Sequence, residues 1–319
     1  MGVKVLAAAS LAAIIAVPAM AQDSYPDGPI DLIVAFSPGG GTDVAARAIQ
    51  PYIEEELGTT ITVVNTPGAG GEIGFTELAE SDPDGYTIGF INVPAIFAYS
   101  FERDTRYDVN SFTPIANLVT DPGIWAVRSD SEFETLQDVI DFAVENPGAL
   151  PIGTTGSVGS SEHLALLVVQ QETGSAFSHV PFGSTAPMRT ALLGGHIPLG
   201  AFNLSEGIEF AQEGQLRILG VMSSERSPMA PDVPTFIEQG IEVLGGSSRG
   251  IAGPAGLSDE VIATLSAAIG AALANPDYVA AAEAANIPLD YMAAPEYAAF
   301  LTSTDADLAV VWSETPWRE

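Results

Sequence analysis

One unit occurs twice in this chain: an apolar strand that runs into a glycine-rich loop and then directly into a helix. The first copy is Ile30 to Phe36, then Ser37-Pro38-Gly39-Gly40-Gly41-Thr42-Asp43, then a helical run from Val44. The second is a short strand around Pro151 to Gly153, then Thr154-Thr155-Gly156-Ser157-Val158-Gly159-Ser160-Ser161, then a helix through His163 to Gln171. A helix N-terminus carries backbone N–H groups without intrahelical partners and the positive end of the peptide dipoles, so each loop is an anion site in waiting. Two such loops in two halves of one chain predict two jaws that close on one anion.

The rest of the pattern sets these loops in α/β layers. Strand-like runs alternate with helical ones, which predicts largely parallel sheets flanked by helices. Thr60 to Val64 leads to the turn Pro67-Gly68-Ala69-Gly70-Gly71, a short helix to Glu80, the turn Pro83-Asp84-Gly85 and the strand Tyr86 to Ile91. The middle third offers a helix over Thr135 to Glu145, the second anion loop, a helix near Met188 to Leu193, and strands at Ile197 to Phe202 and Arg217 to Met222. Ser258 reads as the N-cap of a helix to Asn275, and Pro295 as the first residue of a final helix toward Val311. Asp121-Pro122-Gly123 and Gly245-Gly246-Ser247-Ser248 read as two crossings between domains. The expected division is therefore 22–124 plus 246–319 as one domain and 125–245 as the other. Open sheets bind ligands beyond the carboxyl ends of their strands, so both loops are expected to face the cleft.

Charge and composition narrow the function. Of 319 residues 41 are acidic, and Lys4 is the one lysine beside nine arginines, giving a net charge of −31. Nucleic acid and anionic membrane surfaces are unsuitable partners for such a chain. The acidic residues are scattered, as on a surface adapted to high salt, where screening leaves local groups to decide what binds. Lys4, the apolar stretch Val5 to Val17 and Pro18-Ala19-Met20-Ala21 predict an export signal over residues 1–21, cleaved near Ala21, with a retained anchor as the alternative. There is no cysteine, so thiolate chemistry is excluded, and three scattered histidines without paired spacing predict no metal or other cofactor.

At these residues the chain resembles the periplasmic substrate-binding proteins of tripartite tricarboxylate transporters, the Bug family. The resemblance is carried by Tyr25-Pro26, Phe36 to Asp43, Asn65 to Gly71, Pro83 to Tyr86, Gly156 to Ser160 with His163-Leu164, His179 to Phe182, Leu192 to His196 and Asp232 to Thr235. It implies a two-domain clamshell that captures a small organic carboxylate in the interdomain cleft and delivers it to a membrane permease, acting as a monomer. Carried over, the ligand-binding positions are Ser37, Pro38, Gly39, Gly40, Gly41, Thr42 and Asp43 in one jaw, and Ser157, Gly159, Ser160 and Ser161 in the other. Asp43 is expected to orient its loop, because a carboxylate facing a carboxylate repels. Asn203-Leu204-Ser205-Glu206 and Ser248-Arg249-Gly250 resemble the branch that binds tricarboxylates, which places Asn203 and Arg249 at the ligand. A planar guanidinium suits a second carboxylate, so a citrate-like or C4-dicarboxylate ligand is expected, with an aromatic carboxylate as its competitor. Asn92, at a strand end, either lines the cleft or serves a turn.

Two other functions compete. Gly246-Ser247-Ser248-Arg249-Gly250 fits GxSxG, the serine hydrolase elbow, but that elbow requires a helix directly after the serine, and Ile251-Ala252-Gly253-Pro254 opposes one. The same clamshell could also serve a sensor kinase. The histidines His163, His179 and His196 are expected to be structural.

Overall fold

The computed structural model describes residues 25–314, 316 and 317; the expected export signal lies outside these residues. In chain order the elements are β1 (Ile30–Val34), α1 (Gly41–Leu57), β2 (Ile61–Asn65), α2 (Glu72–Ala79), β3 (Thr87–Val93) and α3 (Ala95–Glu102), followed by the long strand β4 (Phe112–Arg128). Then come α4 (Leu136–Glu145), β5 (Pro151–Thr155), α5 (Ser161–Thr173), β6 (Ser178–Phe182), α6 (Thr185–Leu193), β7 (Leu199–Asn203), α7 (Ile208–Gln212) and β8 (Leu216–Val221). The chain closes with β9 (Gly246–Pro254), α8 (Asp259–Ala274), α9 (Pro276–Ala284), β10 (Leu289–Ala293) and α10 (Ala294–Glu314).

Each half is built on a parallel trio, β2-β1-β3 in one and β7-β5-β6 in the other. Between them lie β4 and β9, antiparallel to each other and to their neighbours. β4 is the joint. From Phe112 to Pro122 it pairs with β9, and from Gly123 onward with β7 and β8. Of the stretches read as crossings, Asp121-Pro122-Gly123 thus lies in β4 and Gly246 to Ser248 in β9, with Pro122 opposite Gly246. The result is an α/β clamshell in which the sheet curls from one half into the other.

Packing follows the apolar periodicity. In α1 the buried Ala45, Ala46, Ile49 and Ile53 recur at helical spacing and meet Ile30, Leu32 and Val34 of β1 and Leu265 and Ile269 of α8. In the second half Val139 and Ile140 of α4 and Leu166 and Val169 of α5 close over Ile152 and Leu199. Helix α8 starts where expected, with the Ser258 side chain accepting from the Val261 N–H at 3.3 Å. Helices α3 and α9 and strand β10 have no counterpart in the sequence reading; α3 has little amphipathic contrast because five of its eight residues are buried.

Candidate functional site

Three helix N-termini converge between the halves. Gly40, Gly41 and Thr42 from α1, Ser160, Ser161 and Glu162 from α5, and Ser184 and Thr185 from α6 line one cavity of about 50 Å³. The anion loops owe their shape to local chemistry. Helix α1 begins with no side-chain cap of its own; Asp43 instead turns back, accepting from the Gly39 N–H at 2.9 Å, from Arg47 at 3.0 Å and from Asn65 at 2.9 Å. Although burial works against its charge, these donors hold the Asp43 carboxyl below the usual range. Ser160 caps α5 by accepting from the His163 N–H at 3.3 Å. Gly159, at φ +83°, donates to His163 Nδ1 at 3.1 Å.

The positions expected from sequence divide accordingly. Gly40, Gly41, Thr42, Asn92, Ser160, Ser161, Asn203 and Arg249 line the cavity. Ser37, Pro38, Gly39, Asp43, Ser157 and Gly159 do not; Pro38 and Gly39 are exposed, and Gly39 lines a neighbouring cavity with Gly41, Glu206 and Arg249. Asn92 donates to the Thr42 hydroxyl at 2.8 Å, which ties the end of β3 to the start of α1. Its Oδ1 is buried with no partner.

Arg249 is engaged by the chain itself. Its Nη1 donates to Asp121 Oδ2 at 2.7 Å, Nη2 lies 3.7 Å from Glu206 Oε2, and both Arg249 and Asp121 are buried. Asn203 sits between Nη2 and the Asp121 carbonyl. The amide orientation that satisfies both accepts from Nη2 at 2.9 Å and donates to the carbonyl at 3.2 Å. Burial weakens the guanidinium's hold on its proton, but Asp121 and Glu206 more than reverse this. Only Nε is left without a partner.

Sequence reasoning missed three carboxylates and a tyrosine. Glu206, just after β7, reaches across the cleft so that its Oε1 accepts from the Gly41 N–H at 2.9 Å, the position an anionic ligand would be expected to take. Asp121 also accepts from the Ser205 N–H at 3.1 Å and from its hydroxyl. Glu162 is buried and accepts from Ser161 at 2.9 Å, and burial pushes its carboxyl up to about 7. Tyr99 of α3 donates to the Gly70 carbonyl at 3.0 Å and hydrogen-bonds Ser157 of the opposite loop, so the two halves touch on this side too. The tetrapeptide Asn203-Leu204-Ser205-Glu206, which carries part of the family resemblance, was the sequence signal available for Glu206.

Histidine and serine serve structure here. His163 and His179 stack with centroids 4.3 Å apart, and burial lowers His163 to about 4. Ser248 lies inside β9, buried, with its hydroxyl donating to Asn117 at 2.6 Å. A serine in mid-strand is not on a strand-to-helix elbow, so the GxSxG match has no catalytic geometry.

Comparison with known proteins agrees with this architecture. The family model described as tripartite tricarboxylate transporter family receptor matches residues 45–311. A UPF0065 protein of Cupriavidus necator is 30% identical over 302 residues, covering 94% of this chain and 91% of the relative. Protein BugT of Bordetella pertussis is 32% identical over 258 residues, 80% of this chain and 79% of BugT. Among solved structures, a TctC solute-binding protein from Polaromonas superposes with a TM-score of 0.70 at 31% identity, covering 91% of this chain and all of the other. MatC of Rhodopseudomonas palustris, solved with bound malate, gives 0.84 at 25% identity over 90% of this chain and 99% of MatC. The chain therefore belongs to the tripartite tricarboxylate transporter receptor family, whose members are periplasmic solute-binding proteins and not enzymes.

Proposed function

We propose that this protein captures a small organic carboxylate between its two halves and delivers it to the membrane permease of a tripartite tricarboxylate transporter. The observation that supports this most directly is the convergence of the α1, α5 and α6 N-termini on one cavity. Uncharged N–H donors fixed by the fold stabilise an anion without a counter-charge that must first be desolvated. Because the donors come from both halves, a ligand that reaches all of them favours the closed state. The halves proposed to move are 22–124 plus 246–319 and 125–245, hinged on β4 and β9, with the mature monomer released after cleavage near Ala21. The scattered acidity suits a salt-rich surrounding. A citrate-like or C4-dicarboxylate ligand draws support from the malate of MatC. It draws less from Arg249, whose guanidinium already faces Asp121 and Asn203.

Thermal denaturation of refolded, ligand-free mature protein against mono-, di-, tri- and aromatic carboxylates tests the proposal. Binding to the native state alone contributes RT ln(1 + [L]/Kd), about 2.7 kcal/mol at a hundredfold excess over Kd. A melting shift with one carboxylate class supports capture, and no shift with any of them overturns it.

A further inference from the structure

Glu206 ends the single helical turn Leu204–Glu206 that follows β7. Two neighbours pin that turn. Asp121 of β4 accepts from the Ser205 N–H at 3.1 Å and from its hydroxyl, and Arg189 of α6 donates from Nη1 to the Glu206 carbonyl at 2.7 Å. The backbone of Glu206 is therefore fixed, and its side chain is held at the tip. Oε1 accepts from the Gly41 N–H at 2.9 Å, while Oε2 lies 3.7 Å from Arg249 Nη2, an ion pair too long for a hydrogen bond.

Gly41 is the first residue of α1, a helix without a side-chain cap of its own. Its N–H is one of the donors that no intrahelical carbonyl can satisfy, and the helix dipole favours negative charge there. A carboxylate from the other half of the molecule takes that donor. The surroundings also give this carboxylate somewhere to go. Gly41, Glu206 and Arg249 line both the cavity between the helix N-termini and a second cavity of about 290 Å³. Glu206 thus stands in the partition between the two spaces. On the far side the Arg189 and Arg249 guanidiniums line the wall together with the like charge of Glu209. A Glu206 side chain that leaves Gly41 keeps a cationic neighbour, so the exchange strands no buried charge.

Resting on the carboxylate reading above, we infer that Glu206 is a built-in competitor: its carboxylate holds the α1 N-terminus when no ligand is bound, and an arriving ligand carboxylate displaces it toward Arg249 and the second cavity. A tethered group competes as though present at an effective concentration on the order of millimolar. The apparent affinity for ligand falls by the fraction of molecules in which Glu206 has let go. Glu206 therefore sets the threshold above which ligand is captured, and it does so without contacting the ligand's distinguishing groups.

Acetate tests the inference, because Glu206→Ala removes from the side chain the equivalent of one acetate. Refolded, ligand-free wild type and Glu206→Ala are titrated with sodium acetate against sodium chloride at equal ionic strength, with melting temperature and radius of gyration as readouts. Acetate is expected to raise the melting temperature of Glu206→Ala and return its radius of gyration toward that of wild type. The wild-type midpoint is expected at an acetate concentration at least about tenfold higher, the factor given by one charge-assisted hydrogen bond. In isothermal titration L-malate is expected to bind Glu206→Ala about tenfold more tightly than wild type, with Glu206→Gln, which keeps a neutral acceptor, in between. Equal acetate midpoints, or no response by either protein, overturn the inference. So does weaker malate binding by Glu206→Ala, which would place Glu206 in the bound state; capture of malate by the wild type would then still stand. An acetate response confined to Glu206→Ala, with no carboxylate taken up by the wild type, supports Glu206 as the internal anion of α1 and removes the capture reading.

Discussion

The guanidinium of Arg249 on β9 and the carboxylate of Asp121 on β4 meet at 2.7 Å in the strands that join the two halves, with both side chains closed off from solvent. The pair lies where β4 changes partners, one residue before Pro122. It thus fixes the joint as well as the wall of the cavity. Removing one member of a buried ion pair leaves the other uncompensated, which typically costs about 3–5 kcal/mol. Arg249→Ala and Asp121→Ala are each expected to lower unfolding free energy by about that amount in urea denaturation. The double variant is expected to lose clearly less than the sum of the two, since each single change already breaks the same contact. Additive losses would mean that the two residues stabilise the joint independently.

Closure without ligand is expected to depend on Glu206. Its contact with the Gly41 N–H links residues 165 apart and bridges the cleft. Glu206→Ala is expected to increase the radius of gyration of the ligand-free protein in small-angle X-ray scattering, while Glu206→Gln preserves the acceptor and the compact form. A Cβ added at Gly41 would lie 2.7 Å from Arg249 Nη2 and 3.1 Å from Glu206 Oε1. Gly41→Ala should therefore give the same expansion and weaken ligand binding as well. An unchanged scattering profile for both Glu206→Ala and Gly41→Ala would assign closure to other contacts.

Gly70 supplies a second place to hold the halves apart. It has φ +72°, and a Cβ there would meet Ser157 Oγ at 2.6 Å and the Tyr99 hydroxyl at 2.7 Å. Gly70→Ala combines backbone strain of order 1 kcal/mol with a clash across the cleft. The expected outcome is a lower melting temperature and weaker binding of whichever carboxylate the wild type takes. Wild-type affinity in this variant would show that the Tyr99 and Ser157 contact is not part of the bound state.

Two buried groups give opposite pH dependences. Glu162 is raised to about 7 from an ordinary value of 4.5, chiefly by burial, so the folded state holds its proton more tightly than the unfolded state. Its contribution to stability is full below about 4.5 and is lost as pH rises through 7. His163 is lowered to about 4 from 6.5, again chiefly by burial. Its neutral form is what the fold accommodates, so stability is lost as pH falls from 6.5 toward 4. Between pH 4.5 and 6.5 the two slopes oppose each other. Glu162→Gln is expected to steepen the rise of melting temperature with pH in that window, and His163→Asn to steepen the fall. Parallel profiles for wild type and Glu162→Gln would place that carboxylate in a solvated setting.

Ser248 is expected to behave as a strand residue. Ser248→Ala removes the donor to Asn117 Oδ1 at 2.6 Å and leaves that buried acceptor short of one partner. The predicted loss is about 1–3 kcal/mol of unfolding free energy, read from denaturant midpoints, with no esterase turnover in either form. Hydrolysis of an activated ester by the wild type that disappears in this variant would contradict the binding-protein assignment.

The strand, glycine loop and helix units were legible in sequence because they are local. A glycine-rich turn after an apolar run, followed by helical periodicity, needs only neighbouring residues, and the helix N-terminus it opens is made of backbone. The same holds for the Ser258 cap and for the loop-orienting role of Asp43, whose partners Gly39 and Arg47 are four residues away. Helix α3 was not legible because burial on nearly all sides erases the contrast that periodicity relies on. The stretches Asp121-Pro122-Gly123 and Gly246 to Ser248, read from sequence as linkers, are paired strands instead, because long-range hydrogen bonding between β4 and β9 overrides their turn-like composition.

By itself the sequence determined the clamshell, its family, and the two glycine-rich loops that open α1 and α5, since pattern, turn chemistry and helix termini act within a few residues. Only the tertiary structure decided what fills and faces those loops. Arg249 is joined to Asp121 across 128 residues, and Gly41 to Glu206 across 165. Which charges become neighbours, and how far water is removed from them, depends on how the two halves pack. That packing turns a site read as a double-carboxylate clamp into one whose guanidinium is paired with Asp121 and whose lining carboxylates, Glu162 and Glu206, are held by Ser161 and by the Gly41 N–H.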